Sequence, residues 1–186
     1  MFGKISIIGC GLIGSSILRA AQENKLATKI SVYDKSNKVI EYLKKNFTVD
    51  ICSNVLEAAK DADLIIISAP LSSYKEILLS IKSNLKEGSI LTDTGSTKKE
   101  VNKIVNNLGL KNISWIASHP IAGTEFSGPA AGPLYSVPAI GCEAIQLIFL
   151  RPKLFTILFT SFLVEPVSVR IDPSFKFDFI ESKISL

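Results

Sequence analysis

A single histidine, His119, lies within the polar segment HPIAGTEFSGP at residues 119–129. The unperturbed pKa of an imidazole lies near working pH, so a histidine beside a bound nicotinamide could accept the proton released when an alcohol is oxidised. The glycines, Thr124 and Ser127 that follow form a tight polar loop, and functional residues concentrate on such loops. A lone histidine is more often structural than catalytic, and position alone leaves both interpretations open.

A second chemical pattern lies near the N-terminus, where Gly9, Gly11 and Gly14 form the spacing G-x-G-x-x-G. In a dinucleotide-binding loop the first glycine permits the turn, the second lets the backbone approach the pyrophosphate, and the third lets the helix pack close to the sheet. The helix N-terminus then offers unpaired N–H groups to the phosphates. Asp34 follows twenty residues after Gly14 at the end of a second predicted strand, which makes the fingerprint more specific.

Asp34 also predicts which dinucleotide would bind. Its carboxylate would accept hydrogen bonds from the ribose hydroxyls and repel a 2′-phosphate, which favours NAD over NADP. Lys35 and Ser36 follow it and could weaken this preference. The alternative is that Asp34 caps the next helix, although the spacing favours the cofactor. We interpret Cys10, inside the glycine loop, as a small apolar filler, with a redox role as the alternative.

The elements that would position these residues alternate between strands and helices. Apolar runs predict strands over 4–9, 29–34, 48–52, 64–70, 89–95 and 112–118. Apolar residues at helical spacing predict helices over 12–26, 36–46, 54–60, 72–85 and 97–108. This alternation predicts an α/β, Rossmann-type, mostly parallel and doubly wound sheet with helices on both faces. Ligands bind outside the carboxyl ends of such strands, so the loops after residues 9, 34, 68, 93 and 118 should share one rim.

Composition narrows the partners. The chain has 186 residues, of which 47% are hydrophobic and 20% charged, enough for one domain plus a partial second. Scattered lysines carry most of the net charge of +4, so we predict no nucleic-acid partner. The three cysteines match no metal spacing, so we expect no metal site and a reducing cytoplasmic location. The N-terminus lacks the pattern of a signal peptide.

Four motifs together resemble the prephenate/arogenate dehydrogenase family of tyrosine biosynthesis: GCGLIGSS (9–16), SAPL (68–71), TDTGSTK (92–98) and HPIAGTEFSGP (119–129). The last two are specific, whereas many dehydrogenases share the glycine loop. The resemblance covers residues 1 to about 132 and implies a Rossmann domain followed by a helical domain that dimerises and completes the substrate pocket. The implied reaction is oxidative decarboxylation of prephenate, or of arogenate, with NAD or NADP as hydride acceptor.

The resemblance also implies roles for individual residues. His119 resembles the histidine that takes the proton of the ring hydroxyl as hydride leaves, and Ser96 the serine that orients this hydroxyl and the histidine. Thr124 and Glu125 would shape the pocket floor, with Thr124 contacting the substrate. Ser96 could instead be the N-cap of the helix over 97–108, and Asp93 a turn residue. The predicted cofactor-binding residues, of which the last two would lie over the cofactor, are Gly9, Gly11, Leu12, Ile13, Gly14, Asp34, Pro70 and Leu71.

The composition changes where the resemblance ends. Ten of the 11 glycines precede residue 133, and seven of the ten phenylalanines follow residue 148. We therefore predict an NAD-binding Rossmann domain over 1–132 and an unassigned apolar tail over 133–186. The favoured explanation of the tail is out-of-frame translation of an AT-rich gene; a genuine tail that adds a strand or helix is an alternative. A membrane anchor is disfavoured because the apolar run over 154–164 is shorter than the about 20 residues of a membrane span.

The tail bears on activity because it carries no family motif. We expect the helical dimerisation domain to be missing and NAD-dependent oxidation of prephenate or arogenate to be lost or impaired in the 186-residue chain. The alternative is a non-catalytic remnant that binds NAD. The sequence does not separate prephenate from arogenate, because the residues that would select between them lie largely in the helical domain.

Overall fold

The computed structural model describes residues 1–110 and 112–118. His119, Thr124, Glu125 and the predicted division of the chain near residue 132 lie outside the described residues. Within this part the elements alternate as strand and helix, as the apolar pattern predicts.

Six parallel strands form one sheet in the described part of the chain. They are β1 (Phe2–Ile8), β2 (Ala27–Tyr33), β3 (Asp50–Ile51), β4 (Leu64–Ile67), β5 (Ile90–Asp93) and β6 (Ser114–Ile116). Their order is β3-β2-β1-β4-β5-β6, and Ile7 of β1 pairs with Val32 on one side and Ile66 on the other. All four residues of β4 are buried, because a central strand of a doubly covered sheet meets apolar side chains on both faces. The predicted Rossmann-type sheet is confirmed.

Five α-helices connect the strands. They are α1 (Leu12–Glu23), α2 (Asn37–Asn46), α3 (Val55–Ala59), α4 (Tyr74–Ile81) and α5 (Lys98–Leu108). Helices α1 and α2 bury Leu18 and Leu43 in a cluster that includes Ile7 of β1. Helices α4 and α5 bury Leu78 and Val101 in a second cluster with Ile8. Since Ile7 and Ile8 are neighbours on a strand, the two clusters lie on opposite faces, and the sheet is doubly wound.

Some boundaries differ from the predicted ones. The helix predicted over 72–85 is divided into a 3₁₀ turn at Leu71–Ser73, α4, and a second 3₁₀ turn at Lys82–Asn84. The strand predicted over 64–70 ends at Ile67. The backbone N–H of Ser68 still donates to the carbonyl of Ile8 at 2.7 Å, and the chain from Ser68 to Pro70 then lines the rim of the sheet. Helix α5 ends at Leu108, as predicted, and its C-cap Gly109 adopts a left-handed φ of 55°. No helix among residues 1–110 and 112–118 has the length and hydropathy needed to span a membrane.

Candidate dinucleotide-binding site

A cleft of about 620 Å³ lies along the carboxyl ends of the strands. Gly9, Asp34, Ser68 and Thr94, each just beyond the end of a different strand, line it. Four of the five loops predicted to share a rim therefore do so, and the fifth, after residue 118, lies outside the described residues. The size suits an extended small molecule, and open α/β sheets bind ligands at this edge.

The three glycines of the fingerprint meet different constraints. Gly9 has a φ of +89°, and a Cβ atom there would lie 2.7 Å from the carbonyl oxygen of Ser68. A Cβ atom on Gly14 would lie 1.9 Å from the carbonyl oxygen of Gly9. A Cβ atom on Gly11 would meet no atom within 4 Å. The fold itself therefore requires glycine at positions 9 and 14. At Gly11 the fold does not require it, and the open space there is available to a ligand in the cleft.

The N-terminus of α1 faces this loop. Gly11 is its N-cap and supplies no side-chain hydrogen bond, and the first turn contains no acidic residue. The partial positive charge of the helix end is therefore not offset by a side chain of its own first turn. Phosphate groups bind at helix ends of this kind.

Asp34 holds the glycine loop as well as lining the cleft. Its Oδ2 accepts a hydrogen bond of 2.8 Å from the backbone N–H of Cys10, and its Oδ1 accepts one of 2.8 Å from that of Ser36. The N-cap of α2 is Ser36, so the interpretation of Asp34 as the helix cap was wrong. Each carboxylate oxygen can accept a second hydrogen bond, which leaves Asp34 able to receive ribose hydroxyls.

Cys10, inside the glycine loop, is fully buried. Burial, with a smaller contribution from the charge of Asp34, raises the pKa of its thiol to about 12. The thiol therefore stays protonated near neutral pH, and a redox or nucleophilic role needs the thiolate. These surroundings favour the interpretation of Cys10 as a filler.

The other predicted site residues are distributed unevenly. Ser96 is exposed in the loop before α5, and the N-cap of that helix is Thr97, so the interpretation of Ser96 as the N-cap was wrong. Leu71 begins the 3₁₀ turn that precedes α4. Of the predicted cofactor-binding residues, those that line the cleft are Gly9, Gly11, Ile13, Asp34 and Pro70, and those that do not are Leu12, Gly14 and Leu71.

Sequence reasoning missed the role of Asp93, which it treated only as a turn residue. The Asp93 side chain is completely buried at the end of β5. Lys98 donates to its Oδ1 at 2.6 Å, and Tyr74 donates to its Oδ2 at 3.3 Å. Burial and the charge of Asp93 raise the pKa of Tyr74 well above its usual range. The sequence carried one signal of this buried ion pair, namely a charged residue at the end of a buried strand with a lysine five residues later.

No group of three or more histidine, cysteine, aspartate or glutamate residues in the described part of the chain is placed to hold a metal ion. The cleft is lined by glycine, small polar and apolar residues together with the charged residues Asp34, Lys35 and Glu76.

Comparisons with known proteins identify the family. The family model described as "Prephenate dehydrogenase, nucleotide-binding domain" matches residues 17–136. Cyclohexadienyl dehydrogenase of Zymomonas mobilis is 36% identical over 133 residues, which cover 71% of this chain and 45% of the relative. Prephenate dehydrogenase of Lactococcus lactis is 37% identical over 135 residues, which cover 70% of this chain and 37% of the relative.

A solved structure agrees with these relatives. Prephenate dehydrogenase from Aquifex aeolicus, in complex with hydroxyphenyl propionate and NAD⁺, superposes with a TM-score of 0.62 at 26% identity. The match covers 74% of this chain and 49% of that one. The chain thus spans about half or less of the length of the proteins that it matches. It belongs to the prephenate dehydrogenase family, and the similarity lies in the nucleotide-binding domain.

Proposed function

We propose that this chain binds NAD and supplies the nucleotide-binding domain for oxidative decarboxylation of prephenate or arogenate. The observation that carries the proposal is the cleft itself, because it joins the glycine loop, the N-terminus of α1 and the carboxylate of Asp34. The Zymomonas and Lactococcus relatives, named for dehydrogenase activity, support the same reaction class.

The order of residues along the cleft supports one orientation of the cofactor. Asp34 would receive the hydroxyls of the adenosine ribose, and its negative charge would disfavour a 2′-phosphate. The pyrophosphate would lie beside Gly11 and the N-terminus of α1. The nicotinamide would then extend past Pro70 towards Thr94 and Gly95, which line the cleft beyond β5.

The chemistry needs few groups of the protein. Bound NAD supplies the hydride acceptor. His119 would take the proton of the substrate hydroxyl, and Ser96 would orient that hydroxyl, roles that rest on the resemblance of their motifs. Loss of CO₂ from the ring restores aromaticity and makes the step irreversible. The main task of the chain is therefore alignment of the substrate with the cofactor and removal of one proton.

Binding of NAD without catalysis is the second candidate function. It is favoured by the residues after 136, which the family model does not match. In the family interpretation a helical domain supplies dimer contacts and the groups that hold the substrate carboxylates. Catalysis by the 186-residue chain would require the residues after 136 to supply equivalent groups.

One experiment separates the two candidates. The full chain is titrated with NAD and NADP, and NADH absorbance is followed at saturating NAD with prephenate or arogenate. NADH production that falls by about 10²–10⁴ in a His119→Asn variant with unchanged NAD affinity would support the enzyme. NAD binding with no turnover would support the second candidate. Absence of NAD binding would refute both.

A further inference from the structure

Asp93 is a buried carboxylate for which the proposed reaction has no step. It ends β5, and the segment Thr94–Thr97 that follows is named here the β5 rim loop. Two residues of this loop, Thr94 and Gly95, line the cleft. Strands β2 and β5 are three positions apart in the sheet, so the β5 rim loop lies about 14 Å from the end of the cleft that Asp34 lines.

Four donors from four segments converge on this carboxylate. Oδ1 accepts from Lys98 Nζ of α5 at 2.6 Å and from the backbone N–H of Ser118, beyond β6, at 3.3 Å. Oδ2 accepts from the backbone N–H of Gly95 at 3.0 Å and from Tyr74 Oη of α4 at 3.3 Å. A carboxylate offers about four acceptor positions, so these donors occupy the capacity of Asp93. It is therefore suited to hold protein groups rather than a ligand.

The network also determines where the β5 rim loop lies. A Cβ atom on Gly95 would be 3.0 Å from both Asp93 Oδ2 and Tyr74 Oη, so the loop backbone packs directly against the two polar groups. The backbone N–H of Thr94 donates to the carbonyl of Ile67 of β4 at 3.0 Å, and the single O–H hydrogen of Tyr74 is shared between Asp93 Oδ2 and that carbonyl, each at 3.3 Å. The loop is thus fixed to both β4 and α4 through groups within reach of Asp93.

We propose that Asp93 is a positioning residue for the nicotinamide half of NAD, because it holds the β5 rim loop as the wall of the cleft at that end. This inference rests on the proposed binding of NAD in the cleft. Lys98 neutralises the buried carboxylate, so the wall is built from a charge-paired network whose loss would displace Thr94 and Gly95 together.

Two ligands test this role in the full chain. NAD and ADP-ribose share the adenosine, the pyrophosphate and the second ribose, and only NAD carries nicotinamide. We expect Asp93→Asn to weaken NAD binding by about tenfold while ADP-ribose affinity changes less than about threefold, measured by calorimetric titration. A purely structural role would weaken both ligands by the same factor, and that result would overturn the proposal.

Asp63 provides a matched control at the opposite, amino ends of the strands. Its carboxylate accepts from two backbone N–H groups, of Gly3 and Lys4, and pairs with Lys86. It precedes β4 and lies at the amino ends of the strands, away from the cleft. Asp63→Asn should lower the thermal midpoint without changing the ratio of NAD to ADP-ribose affinity.

A second variant covers the case in which Asp93→Asn does not fold. Tyr74→Phe removes one donor to Asp93 and keeps the buried ring, so it should cause a smaller loss in the same direction, about threefold for NAD alone. An unchanged ratio in this variant would overturn the proposal. A wild-type chain that binds NAD no tighter than ADP-ribose would also overturn it, whereas one that binds neither would refute the proposed function instead.

Discussion

Asp34 and Asp93 stand at the same kind of position, the carboxyl end of a parallel strand, but their surroundings suit them to opposite uses. Asp34 is half-buried and accepts two backbone hydrogen bonds. Asp93 is completely buried, and four donors surround it. A ligand can approach Asp34, which retains free acceptor positions, whereas Asp93 has none to offer. The number of acceptor positions that a carboxylate still has free, rather than its place on the strand, decides whether it can bind a ligand or only hold protein groups in position.

Gly11 and Gly14 repeat this contrast within three residues of each other. The methyl group of an alanine would have open space at Gly11 and would clash with the backbone of Gly9 at position 14. The fingerprint therefore combines a residue that serves the ligand with one that serves the packing of α1 on the sheet.

The largest expected effect is on the free energy of unfolding, and it tests the contrast between Asp34 and Asp93. Asp93→Ala should lower the free energy of unfolding by about 3–5 kcal/mol, because it leaves Lys98 without its buried partner. The value should fall towards the lower end, since the Lys98 side chain is 25% exposed. Asp34→Ala should cost about 1 kcal/mol. Urea denaturation at pH 7 measures both, and equal losses would break the distinction between the two aspartates.

The glycine pair gives the next effect. Gly14→Ala should lower the free energy of unfolding by about 1–3 kcal/mol, because Gly9 and α1 must separate to admit the methyl group. Gly11→Ala should lower the free energy of unfolding by no more than about 1 kcal/mol, the cost of replacing a glycine N-cap by alanine. It should still weaken NAD binding, because the methyl group occupies space that the pyrophosphate needs. Thermal unfolding paired with NAD titration tests both. A stable Gly14→Ala variant would contradict the assignment of Gly14 to packing.

The sequence was sufficient to predict the parts of the molecule that depend on an apolar pattern or on a known motif. The four apolar residues of β4 predict a central buried strand, and the spacing from Gly9 to Asp34 predicts the cleft. The first is a run of apolar residues and the second is a known spacing of residue types, so both are visible without knowledge of the tertiary contacts. Boundaries were less certain, since the apolar spacing over 72–85 does not distinguish α4 from the 3₁₀ turns beside it.

Contacts between distant residues could not be predicted in this way. Asp93 and Tyr74 are 19 residues apart, and Asp93 and Ser118 are 25 apart. The bond between Asp34 and the backbone of Cys10 joins residues 24 apart. Such bonds exist only once the sheet has brought the strand ends together, and no local pattern encodes which donor a buried carboxylate will meet.

A third prediction concerns cofactor choice at the Asp34 end. Asp34→Asn removes the charge and keeps one side-chain oxygen, which can serve the N–H of Cys10 but not also that of Ser36. It should narrow the preference for NAD over NADP by about tenfold. Asp34→Ala also removes the acceptor that holds the glycine loop, so it should weaken NAD without strengthening NADP. Titration of both variants with both cofactors measures this. Tighter NADP binding by Asp34→Ala would mean that repulsion is the whole role of Asp34.

The smallest expected effect concerns Asp63, a third aspartate, which is placed at the amino ends of the strands and away from the cleft. Partial burial acts to raise the pKa of its carboxyl, but hydrogen bonds from Lys86, Lys4 and Gly3 outweigh burial and hold the pKa below its usual value. A carboxyl with a lowered pKa in the folded state stabilises the fold above the ordinary pKa of about 4 and loses that contribution as pH falls through the lowered value. Asp63→Asn should therefore lower the thermal midpoint by a few degrees, on the order of 2–4 °C, at pH 7 and by less near pH 3. An equal drop at both pH values would show that Asp63 stabilises the fold through packing rather than through its charge. Of the two aspartates, only the buried Asp93 would then stabilise the fold through a charged pair.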